Sequence, residues 1–214
     1  ENFRKELCIV IDKKEFRIRF GRSRCSNPSS ETMNNTIISS ELREQVRQAR
    51  EAYLQLANLG TESKNQVLHA FAKALRANTS KILEANALDV VEAEKMVQSG
   101  ELSESACKRV MLNEAKIELM AQNCESVAKL EDPVGKVLQA TRLDEGLDLY
   151  RVSCPIGVVL VIFESRPDVV VQISALAVKS GNAVILKGGR EAVHSNRVLA
   201  EILRQTADDF EEMP

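Results

Sequence analysis

Two short runs rich in β-branched residues, "VVLVIF" at 158–163 and "AVILK" at 183–187, stand either side of "DVVVQISALAVKS" at 168–180. No other feature restricts the fold as strongly. A continuous apolar run of this length suits a strand covered on both faces, as in a parallel sheet. The segment between the runs has the length of one helix, with Val169, Ile173, Leu176, Ala177 and Lys179 at helical spacing, and Gly181-Asn182 ends it. After Gly188-Gly189 a further helix, "REAVHSNRVLAEILRQTADDF", continues the pattern. Strand, helix, strand, helix is a parallel crossover, so an α/β fold is expected over 155–214.

Ligands of such sheets sit beyond the carboxyl ends of the strands. Those ends are Phe163–Arg166 and Lys187–Arg190, each a loop leading into a helix N-terminus, where exposed N–H groups and the helix dipole favour anions. The first run stops abruptly at Glu164, Ser165 and Arg166, followed by Pro167. That is either a plain turn or the rim of a site. The G-x-G-x-x-G fingerprint is absent, and Gly188-Gly189 alone is a weak signal that packing or turn chemistry also explains. Lys187 is sharper: it is either a solvated cap or a cation aimed at a ribose or phosphate.

Upstream the chain is helical. Val46, Ala49, Tyr53 and Leu56 repeat at three- and four-residue spacing between Ser39/Ser40 and Gly60. Thr61 is expected to cap a second helix with Val67, Leu68, Phe71 and Leu75 on one face. Asn78-Thr79-Ser80 opens a third helix ending at Gly100, Ser103 a short fourth, and Asn113 a fifth through about Leu130. His69 falls beside this apolar face, as a flank residue. Pro133 and Gly135 break the helix, and "KVLQATRLDEGLDLYRVS" reads as a hairpin around Asp144-Glu145-Gly146. Exposed on both faces, such a hairpin is expected to find a partner sheet. Residues 1–35 differ: "CIVIDKKEFRIRF" hints at a hairpin and "GRSRCSNPSSETMNN" at a polar linker. They are expected to form an irregular leader without functional content. It is either a real segment, an upstream sequence that is not native with Met33 as a plausible start, or a transit peptide, although Glu1, Glu6, Asp12 and Glu15 depart from the acid-poor pattern of the last.

Lys plus Arg number 29 against 31 acidic residues, a net charge of −2, which gives no basic field for nucleic acid or an anionic membrane. Aromatic residues are 4% with no Trp, so base-stacking platforms are not expected. The longest apolar run is too short to span a bilayer. The five Cys include no C-x-x-C pair and there are two His, which leaves little support for a metal site and suits free thiols in a reducing compartment.

The stretch "CPIGVVLVIFESRPDVVVQISALAVKSGNAVILKGGREAVHSN", with "ILEANALDV" at 82–90, "EDPVGKV" at 131–137 and D-E-G-L at 144–147, resembles the gamma-glutamyl phosphate reductase family. It is similar also to the reductase half of the bifunctional pyrroline-carboxylate synthases. The likeness runs from about Glu41 to the C-terminus and leaves out 1–35. The resemblance implies an aldehyde-dehydrogenase-like α/β fold: N-terminal helices, a Rossmann-type parallel βαβ sheet and an oligomerisation hairpin. On that frame 36–134 is the helical part of the cofactor domain, 135–154 the hairpin, and 155–214 the first half of the NADPH-binding domain. The family reduces L-glutamyl 5-phosphate with NADPH to glutamate 5-semialdehyde and phosphate in proline biosynthesis. A cysteine thiolate attacks the acyl phosphate, phosphate leaves, and hydride reduces the thioester. The resemblance further implies a cytoplasmic homo-oligomer joined through 135–154 and a functional link to glutamate 5-kinase.

Carried over by position, Ile162, Phe163, Ser165, Lys187, Gly188, Gly189 and Arg190 are the expected cofactor-binding residues. Arg190 stands where NAD-preferring relatives carry an acid for the ribose 2′-hydroxyl, which suits a 2′-phosphate. Ser165 and Arg166 are expected beside the nicotinamide and the reacting carbonyl, with Arg166 meeting the acyl phosphate or the substrate carboxylate. The family's C-N-x-x-E-T-type cysteine stretch is not found, and Cys154 precedes the first strand at the end away from Arg166. The chain is therefore expected to be a truncated N-terminal part of the reductase, without the catalytic domain and inactive alone. The competing expectation is a non-catalytic module that binds a nucleotide or a partner subunit.

Overall fold

The computed structural model describes residues 8–10 and 40–210. Seven helices, α1 (Ser40–Leu56), α2 (Thr61–Ala77), α3 (Thr79–Gln98), α4 (Glu104–Val110), α5 (Glu114–Ala128), α6 (Asp168–Ser180) and α7 (Val193–Asp208), are described. The strands are β1 (Cys8–Val10), β2 (Val137–Asp144), β3 (Leu147–Val152), β4 (Val158–Ile162) and β5 (Ala183–Lys187). The helix boundaries follow local chemistry. Ser103 Oγ accepts from Ala106 N–H at 3.2 Å to open α4, and Asn113 Oδ1 accepts from Lys116 N–H at 2.8 Å to open α5. Gly181 closes α6 at φ 68°, a left-handed conformation that a side chain would strain. Thr61 does not cap α2: it is the first helical residue, and its hydroxyl donates to Asp132 at 3.0 Å.

β4, α6 and β5 form the expected crossover. The two strands pair in parallel, Val158 against Ala183 through Ile162 against Lys187, and β1 pairs in parallel on the other side of β5. The sheet order is β1-β5-β4, so Cys8–Val10 contribute a strand. The remainder of 1–35, including the expected Asp12-Lys13 turn, lies outside the described residues.

β5 is buried at all five positions and divides its side chains between two layers. Val184 and Leu186 enter the main core with Val170, Val178 and Leu199, and Ile185 packs with Ala49 of α1 on the opposite face. The expectation that the first run is also covered on both faces is corrected. Among the described residues β4 is the edge strand, with Leu160 42% and Ile162 55% exposed. Val159 and Val161 lie on the core face, but Val158, Leu160 and Ile162 face the α1 side, where α1 covers Val158 alone.

The main core centres on α2, whose Val67, Leu68, Phe71 and Leu75 are all fully buried as their spacing predicts. Around it pack α5, α6 and α7. Two stripes are displaced from expectation. On α1 the inner residues are Ala49, Ala52 and Leu56, whereas Val46 is exposed, because close approach to β5 needs small side chains. On α6 the buried residues are Val170, Val171, Ser174, Ala175, Ala177, Val178 and Lys179, so Ala177 and Lys179 lie inside as their spacing predicts, whereas Leu176 looks outward beside α5.

Two sequence stretches have structural duties. In "EDPVGKV", Asp132 accepts from Lys64 Nζ at 2.9 Å, from Thr61, and from Val134 N–H at 2.9 Å. Lys64 is only 1% exposed, so Asp132 neutralises a buried ammonium. In "ILEANALDV", Asp89 and Asn86 tie α3 to α7. Asp89 accepts from His194 N–H at 3.0 Å and Ser195 N–H at 2.7 Å, and Asn86 donates to Ser195 Oγ at 3.0 Å.

β2 and β3 pair antiparallel as an exposed hairpin, with Leu138, Leu143, Leu147, Leu149 and Tyr150 open to solvent. Among the described residues no helix is long and apolar enough to cross a membrane.

Candidate functional site

The carboxyl ends of β4 and β5 meet, because the register sets Ile162 beside Lys187 and Phe163 N–H donates to the Lys187 carbonyl at 3.0 Å. Lys187 is 8% exposed, and its ammonium makes no hydrogen bond or ion pair among the described residues. A lysine packed at a strand end with no internal partner for its ammonium leaves that cation open to an oxygen-rich ligand. Beside it, the Asn196 side-chain carbonyl is buried and has no partner.

The glycines after Lys187 answer to close internal neighbours. A Cβ on Gly188 would lie 2.3 Å from Asn196 Nδ2 and 3.4 Å from the Phe163 ring. On Gly189 it would lie 2.1 Å from the Glu191 carboxylate. Glu191 is the functional candidate that the sequence reading missed. It sits in a 3-10 turn at Arg190–Ala192, where one continuous helix was expected, and is 5% exposed. Its Oε1 accepts from Ser165 N–H and, at 3.2 Å, from the Ser165 hydroxyl. Thus one buried carboxylate fastens the β5 loop to the β4 loop.

Ser165 needs that fastening. Among the described residues it is the one non-glycine with positive φ, at 55°. Such a conformation costs on the order of 1–3 kcal/mol and persists where surrounding contacts enforce it. No local signal in the sequence marks Glu191, which stands among Lys187, Arg190 and His194 at the strand–helix junction.

The other expected residues diverge. Arg166 is half exposed, and its guanidinium donates to Asp168 at 2.9 Å, which keeps it protonated above its ordinary range. It faces a cleft between α5 and α6, together with Gln172, which donates to the same Asp168 oxygen at 3.0 Å. Arg190 points the other way and is ion-paired with Glu101 in the α3–α4 turn. Ser165 and Lys187 therefore line the strand ends, Arg166 the inner cleft and Arg190 the outer surface.

The two helix N-termini also differ. At α7 the His194 and Ser195 N–H groups already hold the Asp89 carboxylate, so the anion expected there is supplied from within the chain. Among the described residues the thiols of Cys107, Cys124 and Cys154 do not approach the strand ends. Cys107 and Cys124 are buried in the helical part, and burial pushes the Cys124 thiol up to about 12. Cys154 is exposed and precedes β4, at the sheet end opposite Ser165.

The aldehyde dehydrogenase family profile matches residues 23–209. The chain belongs to the aldehyde dehydrogenase family. Within it the chain is similar to gamma-glutamyl phosphate reductases. It is 51% identical over 162 residues to the one from Natronomonas pharaonis, covering 76% of this chain and 37% of that relative. The crystal structure of gamma-glutamyl phosphate reductase from Saccharomyces cerevisiae superimposes with a TM-score of 0.75 at 44% identity, over 81% of this chain and 43% of that one. The Thermotoga maritima reductase structure gives 0.75 at 39% identity, over 81% and 41%. The chain thus has the aldehyde-dehydrogenase-like α/β fold and spans about two fifths of the length of these relatives.

Proposed function

We propose that the chain is the N-terminal part of an NADPH-dependent reductase that converts L-glutamyl 5-phosphate to L-glutamate 5-semialdehyde and phosphate in proline biosynthesis. One observation carries the reading: the convergence of Lys187, Ser165 and Glu191 at the strand ends of a chain about half identical to proteins named for that reaction. In this reading 155–214 begin the NADPH-binding domain, 36–134 supply its helical part, and the hairpin 135–154 joins subunits of a homo-oligomer through its exposed apolar residues. The same reading includes a cytoplasmic location and a metabolic link to glutamate 5-kinase, which makes the acyl phosphate.

NADPH supplies the hydride. Lys187 holds the adenosine ribose, with Ile162, Phe163, Gly188 and Gly189 forming the floor beneath the cofactor. Arg190 meets the 2′-phosphate, for which it must exchange Glu101, a similarly exposed and readily hydrated partner. Ser165 presents its backbone and hydroxyl beside the nicotinamide and the reacting carbonyl, and Arg166 stabilises the anionic end of the acyl phosphate. The thiolate nucleophile belongs to the catalytic domain of the reductase, and none of the described thiols takes that role.

The test is kinetic. A full-length reductase carrying this sequence reduces L-glutamyl 5-phosphate with NADPH, and Arg190→Glu lowers its NADPH-to-NADH ratio of kcat/KM at least about tenfold, the equivalent of one charge-assisted contact. An unchanged ratio refutes the 2′-phosphate role. Measurable turnover by the 214-residue chain alone refutes the placement of the nucleophile elsewhere.

A further inference from the structure

Few polar contacts fix the loop after β4 to the exit of β5. Phe163 N–H donates to the Lys187 carbonyl at 3.0 Å. Past that point, among the described residues, the hydrogen bonds that cross between the two loops both end on Glu191. Its Oε1 accepts from the Ser165 N–H and from the Ser165 hydroxyl, the two donors that a serine possesses. With both committed inward, Ser165 offers a ligand only acceptors: its carbonyl and the hydroxyl lone pairs.

The same carboxylate enforces backbone shape. Ser165 stands at φ 55°, a conformation that persists where surrounding contacts hold it. On the other side, Glu191 follows Arg190 in the turn assigned above to the cofactor's ribose and 2′-phosphate. The space that a side chain at Gly189 would need is filled by the Glu191 carboxylate, so this turn is folded around it. At 5% exposed, Glu191 is placed to act through the two loops rather than on a ligand directly.

We propose that Glu191 is a positioning residue for hydride transfer: it holds Ser165 in its left-handed conformation, as an acceptor, from the turn that meets the opposite end of the cofactor. The inference rests on the proposed function and deepens it. The donor class that fits such an acceptor is an N–H, which the carboxamide of a nicotinamide carries. An oxyanion needs a donor and is not served by Ser165 while Glu191 takes both of its hydrogens. Misplacing Ser165 therefore slows the chemical step, because alignment of the reacting groups is lost, without loosening the adenosine end. Binding at the turn should in return stiffen Ser165, since both loops share one carboxylate.

The kinetic arm uses the full-length reductase, with Glu201→Gln on the exposed side of α7 as the control that stays near wild type. Glu191→Ala is expected to lower kcat roughly 10-fold or more, as loss of a charge-assisted acceptor requires. Glu191→Gln, isosteric and still able to accept through its amide oxygen, lowers it less. The NADPH dissociation constant changes less than about threefold in both, because neither variant removes a ligand contact. Glycine adopts φ 55° without enforcement, so in a Ser165→Gly background Glu191→Ala should lower kcat by less than about threefold. The second arm measures amide hydrogen exchange in the 214-residue chain. NADPH should deepen protection of Ser165 in wild type and not in Glu191→Ala. An unchanged kcat in Glu191→Ala, a loss matched by weaker NADPH binding, an undiminished effect in the Ser165→Gly background, or equal gains in protection overturns the assignment. If the wild-type reductase does not reduce glutamyl phosphate, the functional reading falls, and the exchange result still upholds or overturns the hold of Glu191 on Ser165.

Discussion

Asp89→Asn isolates the contact that holds the crossover unit against the helical layer. Asp89 is fully buried in α3, and its two oxygens accept separately from the His194 and Ser195 N–H groups in the first turn of α7. Asparagine keeps the shape and one acceptor, but sets an NH2 group against a backbone N–H. One charge-assisted hydrogen bond, worth about 1.5–3 kcal/mol, is lost outright, and the other weakens to a neutral bond of about 1 kcal/mol. Removing the charge from a helix N-terminus adds about 0.3–1 kcal/mol. Together the loss is about 3 kcal/mol. In urea, with an m-value of about 3 kcal/mol per molar for a chain of this size, the unfolding midpoint falls by about 1 M with m unchanged. Glu94→Gln, on the exposed side of the same helix, should stay within about 0.5 kcal/mol of wild type. A destabilisation by Asp89→Asn no larger than that of the Glu94 control would refute the reasoning. It would mean that the α7 N–H groups are satisfied as well without the carboxylate.

Asp132 links stability to pH. Burial alone raises its carboxyl, but the Val134 N–H, Lys64 and Thr61 together hold it below its ordinary value of 3.8. A carboxyl depressed in the folded state stabilises it above the unfolded value and loses that contribution as pH falls through the folded one. Asp132→Asn should therefore cost about 3–5 kcal/mol at pH 7, because Lys64 is left buried without its partner. In urea titrations from pH 7 to 3 the gap between variant and wild type should narrow below about pH 3.8, and a gap independent of pH contradicts the pairing. Glu191→Gln should raise amide hydrogen exchange at Ser165 at least about tenfold, since a charge-assisted acceptor of its N–H is lost; unchanged protection means that Glu191 does not hold the loop.

What could be read from the sequence follows from the range over which each feature is decided. The parallel pairing of β4 and β5, the whole apolar face of α2 and the caps at Ser103 and Asn113 are set by neighbours in the chain, and they stand where spacing places them. Val46 and Ala52 were exchanged in importance because periodicity marks which residues share a face, not how near the next layer lies. Where α1 approaches β5, small side chains win. β4 looked doubly buried because its composition satisfies a central strand, yet exposure on its α1 side depends on where a helix some hundred residues earlier runs out of cover.

The charged residues show the same limit more sharply. Glu191, Asp89 and Asp132 carry no local mark that distinguishes them from the many exposed acids of this chain. Each became decisive through a partner far away in sequence: Ser165, the α7 N-terminus and Lys64. Desolvation makes such partners necessary, because a buried charge without one costs more than any single apolar contact returns. Lys187 is the converse case: it is 8% exposed, yet its ammonium has no partner among the described residues.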